Sequence, residues 1–467
     1  MRAIRCSISA LAAVAAASLC LATGPGWAQE GELDTTFNLT GVFHHSPATT
    51  SETIRVLDAP DDWLVLLGRS EFSGGAGGSD FWKKVGDNGF TGDCFLVGGD
   101  LDYFFAADAV IDHAGRLVVV GTDGDNHILV ARYLFPACTR DPDFGTNGVV
   151  TSSSGLWGTV QAAGVVERSS GTILPTYTYF VLAQHDGSLV VPRGEIVLKY
   201  LADGTPDTGW GAFGGWVSPD FGSEIVVPRR LAVDPVGRLV TAFDVLESDL
   251  VARDFGVARL QAANGALDTT FSGDGYERIP FDLDGALSDD AVVDMAVGSD
   301  SRIALVGAAP SSNGQRRPTI AVLEADGDLD PTFDGNGKRQ LSLEGWARAV
   351  KWVGGGRLVV AGQNLDLGFD DESFVVRLLA DGANDPGYGS GGFASFFALD
   401  FGGADDVATS VALDGDRVVV GGWGKDSAGD RNAYLMRFTG PPAPPDPHIF
   451  SDGFVSGTTS AWSAVVP

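Results

Sequence analysis

The sequence predicts an all-β fold: a seven-bladed β-propeller of four-stranded antiparallel blades, closed by an N-terminal strand that completes the last blade. Three observations predict it. A turn motif, Asp followed three residues later by an aromatic, recurs along the chain. Three short strand-like runs recur in step with it. The first copy of the motif stands ahead of every other run, while the last unit ends without one. Composition agrees, because 64 Gly and three Met in 467 residues suit turn-rich β structure better than helix.

The motif appears as Asp34 with Phe37, Asp141 with Phe144, Asp207 with Trp210, Asp268 with Phe271, Asp330 with Phe333 and Asp385 with Tyr388. A shortened copy reads Asp93-Cys94-Phe95, which brings the count to seven. Successive units then repeat three runs, named a, b and c in chain order. Run a falls at 54–57, 107–111, 179–183, 231–234, 293–297, 349–353 and 408–413. Run b falls at 63–68, 116–121, 188–191, 238–242, 302–307, 357–362 and 417–421. Run c falls at 81–85, 128–133, 196–200, 255–260, 319–323, 374–378 and 434–438. These runs are rich in Val, Leu and aromatics and are punctuated by Gly, Asp and Asn, which is strand chemistry with tight turns. Asp203-Gly204, Asn264-Gly265, Asp326-Gly327 and Asp381-Gly382 stand where run c must reverse. Gly tolerates positive φ there, and Asp or Asn can bond the turn backbone. A fourth strand, d, follows each motif, as at 148–152 and 275–280.

A four-stranded unit cannot bury both faces of its own sheet, and stacking units around an axis solves that problem. Each motif aromatic buried between neighbours is worth roughly 1.5–3 kcal/mol. The last unit stops at run c near Phe438, so the segment from Leu33 to Phe43 is expected to supply its missing strand. Pairing first with last removes an exposed edge.

The first 28 residues have the layout of a cleaved secretory signal: Arg2 and Arg5, a small apolar run, then Gly26-Trp27-Ala28 before a cut at Gln29. The alternative is an uncleaved anchor, although the run is Ala-rich and short for a span of roughly 20 residues. Cys20 follows Leu19, which disfavours a lipidated signal. No later segment is apolar for long enough to cross a bilayer as a helix. Residues 29–440 form the propeller, 441–448 a Pro-rich linker and 449–467 a tail. The net charge of −30, or −32 without Arg2 and Arg5, excludes a nucleic-acid partner and favours cations. At 44% hydrophobic residues the acidity does not mean disorder. Cys94 and Cys138 remain in the mature chain, near c–d turns of consecutive units, and an oxidising compartment would join them as a disulfide. Two buried free thiols are the alternative.

The units resemble the bacterial delta-60 repeat. The likeness is clearest from Gly115 to Gly121 with 128–133, and from Phe255 to Phe271, and it covers roughly 33–439. It implies a propeller-like fold in an exported protein of a Gram-negative bacterium, secreted, periplasmic or at the cell surface, and brings no catalytic residues with it. Departures are the shortened second copy, a long insert between Val149 and Tyr179, and Val322 where other units place Lys or Arg. The tail, from Ile449-Phe450 through Asp452-Gly453-Phe454 to Ala461-Trp462-Ser463, resembles a C-terminal segment of other exported proteobacterial proteins, which implies a sorting or anchoring role.

The basic residues of run c, Lys84, Arg132, Lys199, Arg259, Arg377 and Arg437, are expected to pair with motif acids such as Asp207 and Asp268. His44 and His45 are neighbours in a strand, point to opposite faces and make a poor chelate. Asp326, Asp328 and Asp330 mimic the start of a calcium loop, but Pro331 replaces the needed Gly and no Glu closes it. A cation site, calcium first, is better sought at the start of run a, where Asp284, Asp290, Asp400, Asp405 and Asp406 gather beside the variable b–c loops. The function expected is therefore a monomeric, non-catalytic scaffold without a cofactor of its own. It would bind a protein, glycan or cation at that rim. The alternative is a lyase or hydrolase in the channel mouth. That reading needs His, Glu or Tyr converging from several a strands, which read as apolar with acids only at their edges.

Overall fold

A computed structural model describes residues 30–440 apart from 46–49, 72–77, 87–90, 96–103, 124, 126, 153–159, 170–176, 186–193, 223, 247–251, 282–288, 366–370 and 395–401. The leader, the linker and the tail lie outside the described residues.

The strands form seven antiparallel sheets. β1 (Val42–His45) belongs to the last of them. Sheet I holds β2 (Thr50–Ala59), β3 (Trp63–Glu71), β4 (Gly78–Val85) and β5 (Thr91–Phe95). Sheet II holds β6 (Phe105–Ile111), β7 (Leu117–Thr122), β8 (Ile128–Leu134), a two-residue β9 (Thr139–Arg140) folded back on β8, and β10 (Val149–Ser152). Sheet III holds β11 (Val160–Ser169), β12 (Tyr177–His185), β13 (Gly194–Leu201) and β14 (Trp216–Val217). Sheet IV holds β15 (Ile225–Val233), β16 (Leu239–Leu246), β17 (Arg253–Leu260) and β18 (Tyr276–Ile279). Sheet V holds β19 (Ala291–Val297), β20 (Ile303–Pro310), β21 (Arg316–Leu323) and β22 (Lys338–Gln340). Sheet VI holds β23 (Gly345–Val353), β24 (Arg357–Leu365) and β25 (Asp371–Leu378). Sheet VII holds β26 (Gly402–Asp414), β27 (Arg417–Asp426) and β28 (Arg431–Phe438), with β1 as its fourth strand.

Six sheets are therefore full four-stranded blades, and the expectation of seven is corrected at sheet VI. Its turn runs through Gly389, Gly391 and Gly392, all at positive φ. Among the described residues Phe393 and Ala394 return alongside β25, through a bridge to Val376 and an N–H···O bond to Val375 of 2.9 Å, and 395–401 lie outside the described residues.

Two further expectations are corrected. The run at 179–183 is not strand a of its unit but lies in β12, the second strand, paired with β11 on one side and β13 on the other. The inner strand of sheet III is β11, inside what reads as an insert, and the run expected at 188–191 falls outside the described residues. Asp93-Cys94-Phe95 is not a turn either. It lies within β5, with Cys94 opposite Trp82 and Asp93 opposite Lys83. The b–c segment of sheet V is also more regular than a loop, because β20 and β21 stay paired out to Pro310 and Arg316, whereas 124, 126, 247–251 and 366–370 in other b–c segments lie outside the described residues.

Apolar side chains fill every junction between successive sheets. Trp82 of sheet I packs with Tyr133 of sheet II, Val130 with Leu198, Trp210 with Leu239, Phe271 with Leu305, Phe333 with Leu358, and Val359 with Val420. Phe37, Phe43 and Leu435 of sheet VII pack with Leu64 and Phe81 of sheet I in the same way.

The N-terminal segment bonds the last sheet as each internal motif bonds its own. Asp141 N–H donates to Arg132 O and Arg132 N–H to Gly148 O, each at 2.9 Å. Asp34 N–H donates to Arg437 O at 2.9 Å and Arg437 N–H to Gly41 O at 3.0 Å. β1 then pairs with β28 over Val42↔Met436 to His45↔Ala433.

Candidate ligand site in the central channel

The first strand of each sheet is the innermost. One cavity of about 400 Å³ is lined by residues of all seven, including Val56, Ala109, Val165, Ala232, Met295, Val350 and Val411. A second cavity of about 510 Å³ lies at the N-terminal ends of these strands, lined by Gln161, Arg229, Arg230, Arg253, Trp346 and Arg348 among others.

A β-bulge shapes the channel. Every inner strand shifts register at the same point: at Ile54, Ala107, Ala163, Arg229, Val293, Arg348 and Thr409. The extra residue re-aims the side chains that follow. The position after the bulge is Arg55, Asp108, Gly164, Arg230, Asp294, Ala349 and Ser410 in turn. Four of these residues form an ion lattice across the channel. Arg55 bonds Asp108 at 2.6 Å and lies 3.7 Å from Asp294, and Arg230 bonds Asp294 at 2.7 Å. The same acids cap backbone on the next sheet. Val165 N–H donates to Asp108 at 3.3 Å and Val350 N–H to Asp294 at 3.0 Å. Ser410 Oγ likewise accepts Val56 N–H at 3.0 Å. Burial pushes the Asp294 carboxyl up, but Arg230, Arg55 and its hydrogen bonds outweigh that and hold it below the usual carboxylate range. The lattice contradicts the expectation of apolar inner strands with acids only at their edges. The signal available in the sequence is a charged residue inside an apolar run, at one fixed offset, in four units.

The mouth of the larger cavity is basic. Asp244 is shared by Arg229 at 2.5 Å and Arg253 at 3.4 Å. Asp289 receives Arg253 at 2.6 Å and also pairs with Arg316. Arg348 bonds the Gln363 side-chain oxygen at 2.7 Å. Trp346 lies under two guanidiniums, with Arg316 4.9 Å and Arg348 5.9 Å from its ring centroid.

The acids expected to hold a cation do not gather here. Asp284 and Asp400 lie outside the described residues. Asp290 is sealed in beside sheet V, where it accepts Phe281 N–H at 2.7 Å. Asp405, two sheets away on β26, is ion-paired with Lys425, and Asp406 is buried near Tyr434. Among the described residues no group of three or more His, Cys, Asp or Glu is placed to hold a metal. His44 and His45 sit side by side on β1, with the His45 ring against Phe81 at 4.6 Å.

The motif residues sit at the opposite face and hold sheets together. Arg132, Arg259 and Arg377 bond Asp141, Asp268 and Asp385, each at 2.8 Å, and Lys199 bonds Asp207 at 2.8 Å. Arg437 bonds Asp34 at 3.0 Å. Each of these cations lies over the motif aromatic of its own turn: Phe144, Phe271, Tyr388, Trp210 and Phe37. Arg132 and Arg259 then reach the carbonyls of Ala202 and Ala325 on the next sheet, a crossing that repeat spacing does not reveal. Where Val322 replaces the basic residue, Arg302 reaches Asp330 at 3.3 Å, a contact that Arg116 and Arg357 also make with Asp141 and Asp385 at 3.4 Å. Cys94 on β5 and Cys138 in the turn after β8 are bonded, with Cα atoms 5.4 Å apart, which ties sheet I to sheet II.

A family model described as a domain of unknown function (DUF5122) beta-propeller matches residues 298–333, which run from the a–b turn of sheet V to Phe333. This chain is a β-propeller repeat protein. No curated protein matches it. Among solved structures it is similar to an α-L-arabinofuranosidase from Fusarium graminearum, at 9% identity over 85% of this chain and 96% of that one, with a TM-score of 0.42. It is similar to a gluconolactonase from Xanthomonas campestris, at 12% identity over 84% and 98%, with a TM-score of 0.35. Sqt1 of Chaetomium thermophilum matches at 12% identity over 83% and 85%, with a TM-score of 0.41.

Proposed function

We propose that this protein is an exported, non-catalytic delta-60-type propeller that binds its ligand at the channel mouth between Gln161, Arg229 and Arg348. The carrying observation is the 510 Å³ cavity lined by four arginines and Trp346. That volume lies in the range of about 300–1,000 Å³ usual for small-ligand pockets. Binding is favoured over catalysis by the chemistry of the lining. A guanidinium stays protonated at neutral pH and cannot serve as a general acid or base, whereas it orients a ligand well.

The seven sheets are read as one closed ring, with the N-terminal strand in the last. The β1–β28 pairing and the Phe37–Leu64 packing support that reading. Export is supported by the leader-like residues 1–28 and by the bonded cysteines, which belong in an oxidising compartment. The tail at 449–467 is assigned a sorting or anchoring role on its resemblance.

The test is a ligand screen of glycans, peptides and metal ions on the mature chain, with hydrogen exchange to locate each hit. Protection of the backbone at 161–163, 228–230 and 346–348 is expected. Hits that protect only the outer rim or the opposite face would refute the assignment.

A further inference from the structure

We propose that the channel mouth takes its ligand by a carboxylate, with Arg348 receiving the carboxylate and the Trp346 ring forming the apolar wall beside it. A uronate residue in a saccharide chain offers both features. The inference rests on the mouth being the ligand site.

The argument begins with where the charges go. Two of the seven bulge residues are arginines, Arg229 and Arg348, and the other five are uncharged. Five guanidiniums in and around the mouth are not equally satisfied. Arg229 and Arg253 share Asp244, Arg253 and Arg316 share Asp289, and Arg230 holds Asp294. Arg348 differs. Its Nε and Nη2 both point at one neutral oxygen of Gln363, at 3.3 and 2.7 Å. Gln363 in turn donates to Asp371, which therefore stands behind the amide rather than against the guanidinium. Among the described residues no carboxylate lies within ion-pair reach of Arg348. Burial pushes its pKa down, and the more distant Asp371 and Glu52 do not make up the difference.

A half-buried guanidinium that meets an amide oxygen and an indole ring but, among the described residues, no carboxylate is electrostatically incomplete, and a carboxylate matches its planar fork. Among the described residues the cavity lining contains four arginines and no acid, in a chain whose net charge is −30. Arg229, Arg230 and Arg253 are compensated by Asp244, Asp294 and Asp289, so the positive charge left open in the lining is that of Arg348. Trp346 supplies the second half of the recognition. Its indole is half-buried in the lining, so a flat apolar face of a ligand can rest on it while Gln161 meets hydroxyls.

The experiment is calorimetric titration of the mature chain at fixed ionic strength with trigalacturonate, maltotriose, tetraglutamate and inorganic sulfate. Trigalacturonate is expected to bind, and Arg348→Ala to weaken it about ten- to a hundredfold, as loss of a charge-assisted contact does. Trp346→Ala is expected to weaken it as well. The melting temperature of Arg348→Ala should stay near that of the parent, and Arg348→Gln, closer in size, serves if the alanine variant folds poorly. Equal affinity for trigalacturonate in parent and Arg348 variants overturns the proposal. So does maltotriose binding as tightly as trigalacturonate, which would make the site one for neutral sugars. Tetraglutamate or sulfate binding more tightly than trigalacturonate overturns the saccharide assignment. If none of the four probes binds while the screen still maps another ligand to the mouth, the carboxylate reading fails and the binding site stands. If no ligand maps there, both fail.

Discussion

Glu195 is sealed between β13 and β16, where one carboxylate oxygen accepts the Thr241 hydroxyl at 2.9 Å and the other has no hydrogen-bond partner among the described residues. Burial pushes its pKa up to about 8, with the Thr241 bond opposing only part of that rise. The folded chain therefore keeps a proton that the unfolded chain releases near pH 4.5. Glu195 contributes its full stability below that pH, and the contribution is lost as pH rises from 4.5 through 8. The loss is on the order of 3–5 kcal/mol. Glu195→Gln keeps a partner for Thr241 without the charge. Urea unfolding at pH 5, 7 and 9 is expected to show the parent weakening with pH and the variant much less so. Parallel midpoints for the two would mean that the carboxyl is hydrated. The cysteine pair is the other local feature with a measurable consequence. The bond closes a stretch of 44 residues, so opening it is expected to cost roughly 3–4 kcal/mol on a chain-entropy account. Mass spectrometry without reductant should find no free thiol in the mature chain, and melting with and without reductant gives the size of the effect.

Strands d are the short ones among the described residues: four residues in β10 and β18, three in β22, two in β14, and Phe393 with Ala394 in sheet VI. They are the outer edges, and a short edge is a poor template for pairing with another chain. β1 is the strand d that comes from the far end of the sequence. A chain starting at Thr50 is expected to expose β28, strand Arg437 without Asp34 and remove Phe37 and Phe43 from the core. It should melt at lower temperature and pellet on warming, and a separate peptide covering 30–45 should restore part of the loss. A truncated chain with the parent's melt would show that β1 is decoration. The c–d hairpins are legible in sequence because their chemistry is local. Gly327, at φ +100°, stands with a would-be Cβ only 2.9 Å from Ser272 N, so Asp-Gly there reports both the turn and the neighbouring sheet. Strand a has no such mark. β11 carries Gly164 in its middle, which breaks a β-like pattern, while the aromatic run of β12 imitates an inner strand. For the same reason Asp93-Cys94-Phe95 imitates a turn.

At the scale of the whole molecule, contacts between residues distant in sequence tie one sheet to the next. Ser410 caps Val56, Arg55 joins Asp108, Asp108 caps Val165, Arg230 joins Asp294, and Asp294 caps Val350. A charged residue in an apolar run marks each member in the sequence, but its partner on another sheet is set by the packing of the inner strands and has no sequence mark. The arginine mouth is concealed likewise, since Arg229, Arg253 and Arg348 come from two different sheets and three different strands. Asp294 is the node, and its depressed pKa fixes a sign. Its contribution is present at pH values above about 4 and is lost as pH falls through its lower folded value. At neutral pH, Asp294→Ala leaves Arg55 and Arg230 facing a channel without their shared counter-ion and Val350 N–H without its acceptor. That is expected to cost about 3–5 kcal/mol, the usual result of halving a buried pair. Asp294→Asn separates charge from hydrogen bonding, because the amide oxygen can still accept from Val350. If the charge dominates, the Asn variant loses most of what the Ala variant loses, and replacing Arg230 by Met in the same chain recovers part of it. Denaturant midpoints of the three variants at pH 7 decide the matter. An Asn variant as stable as the parent would mean that water in the channel already screens the lattice. The sheets would then be held together by their apolar junctions alone.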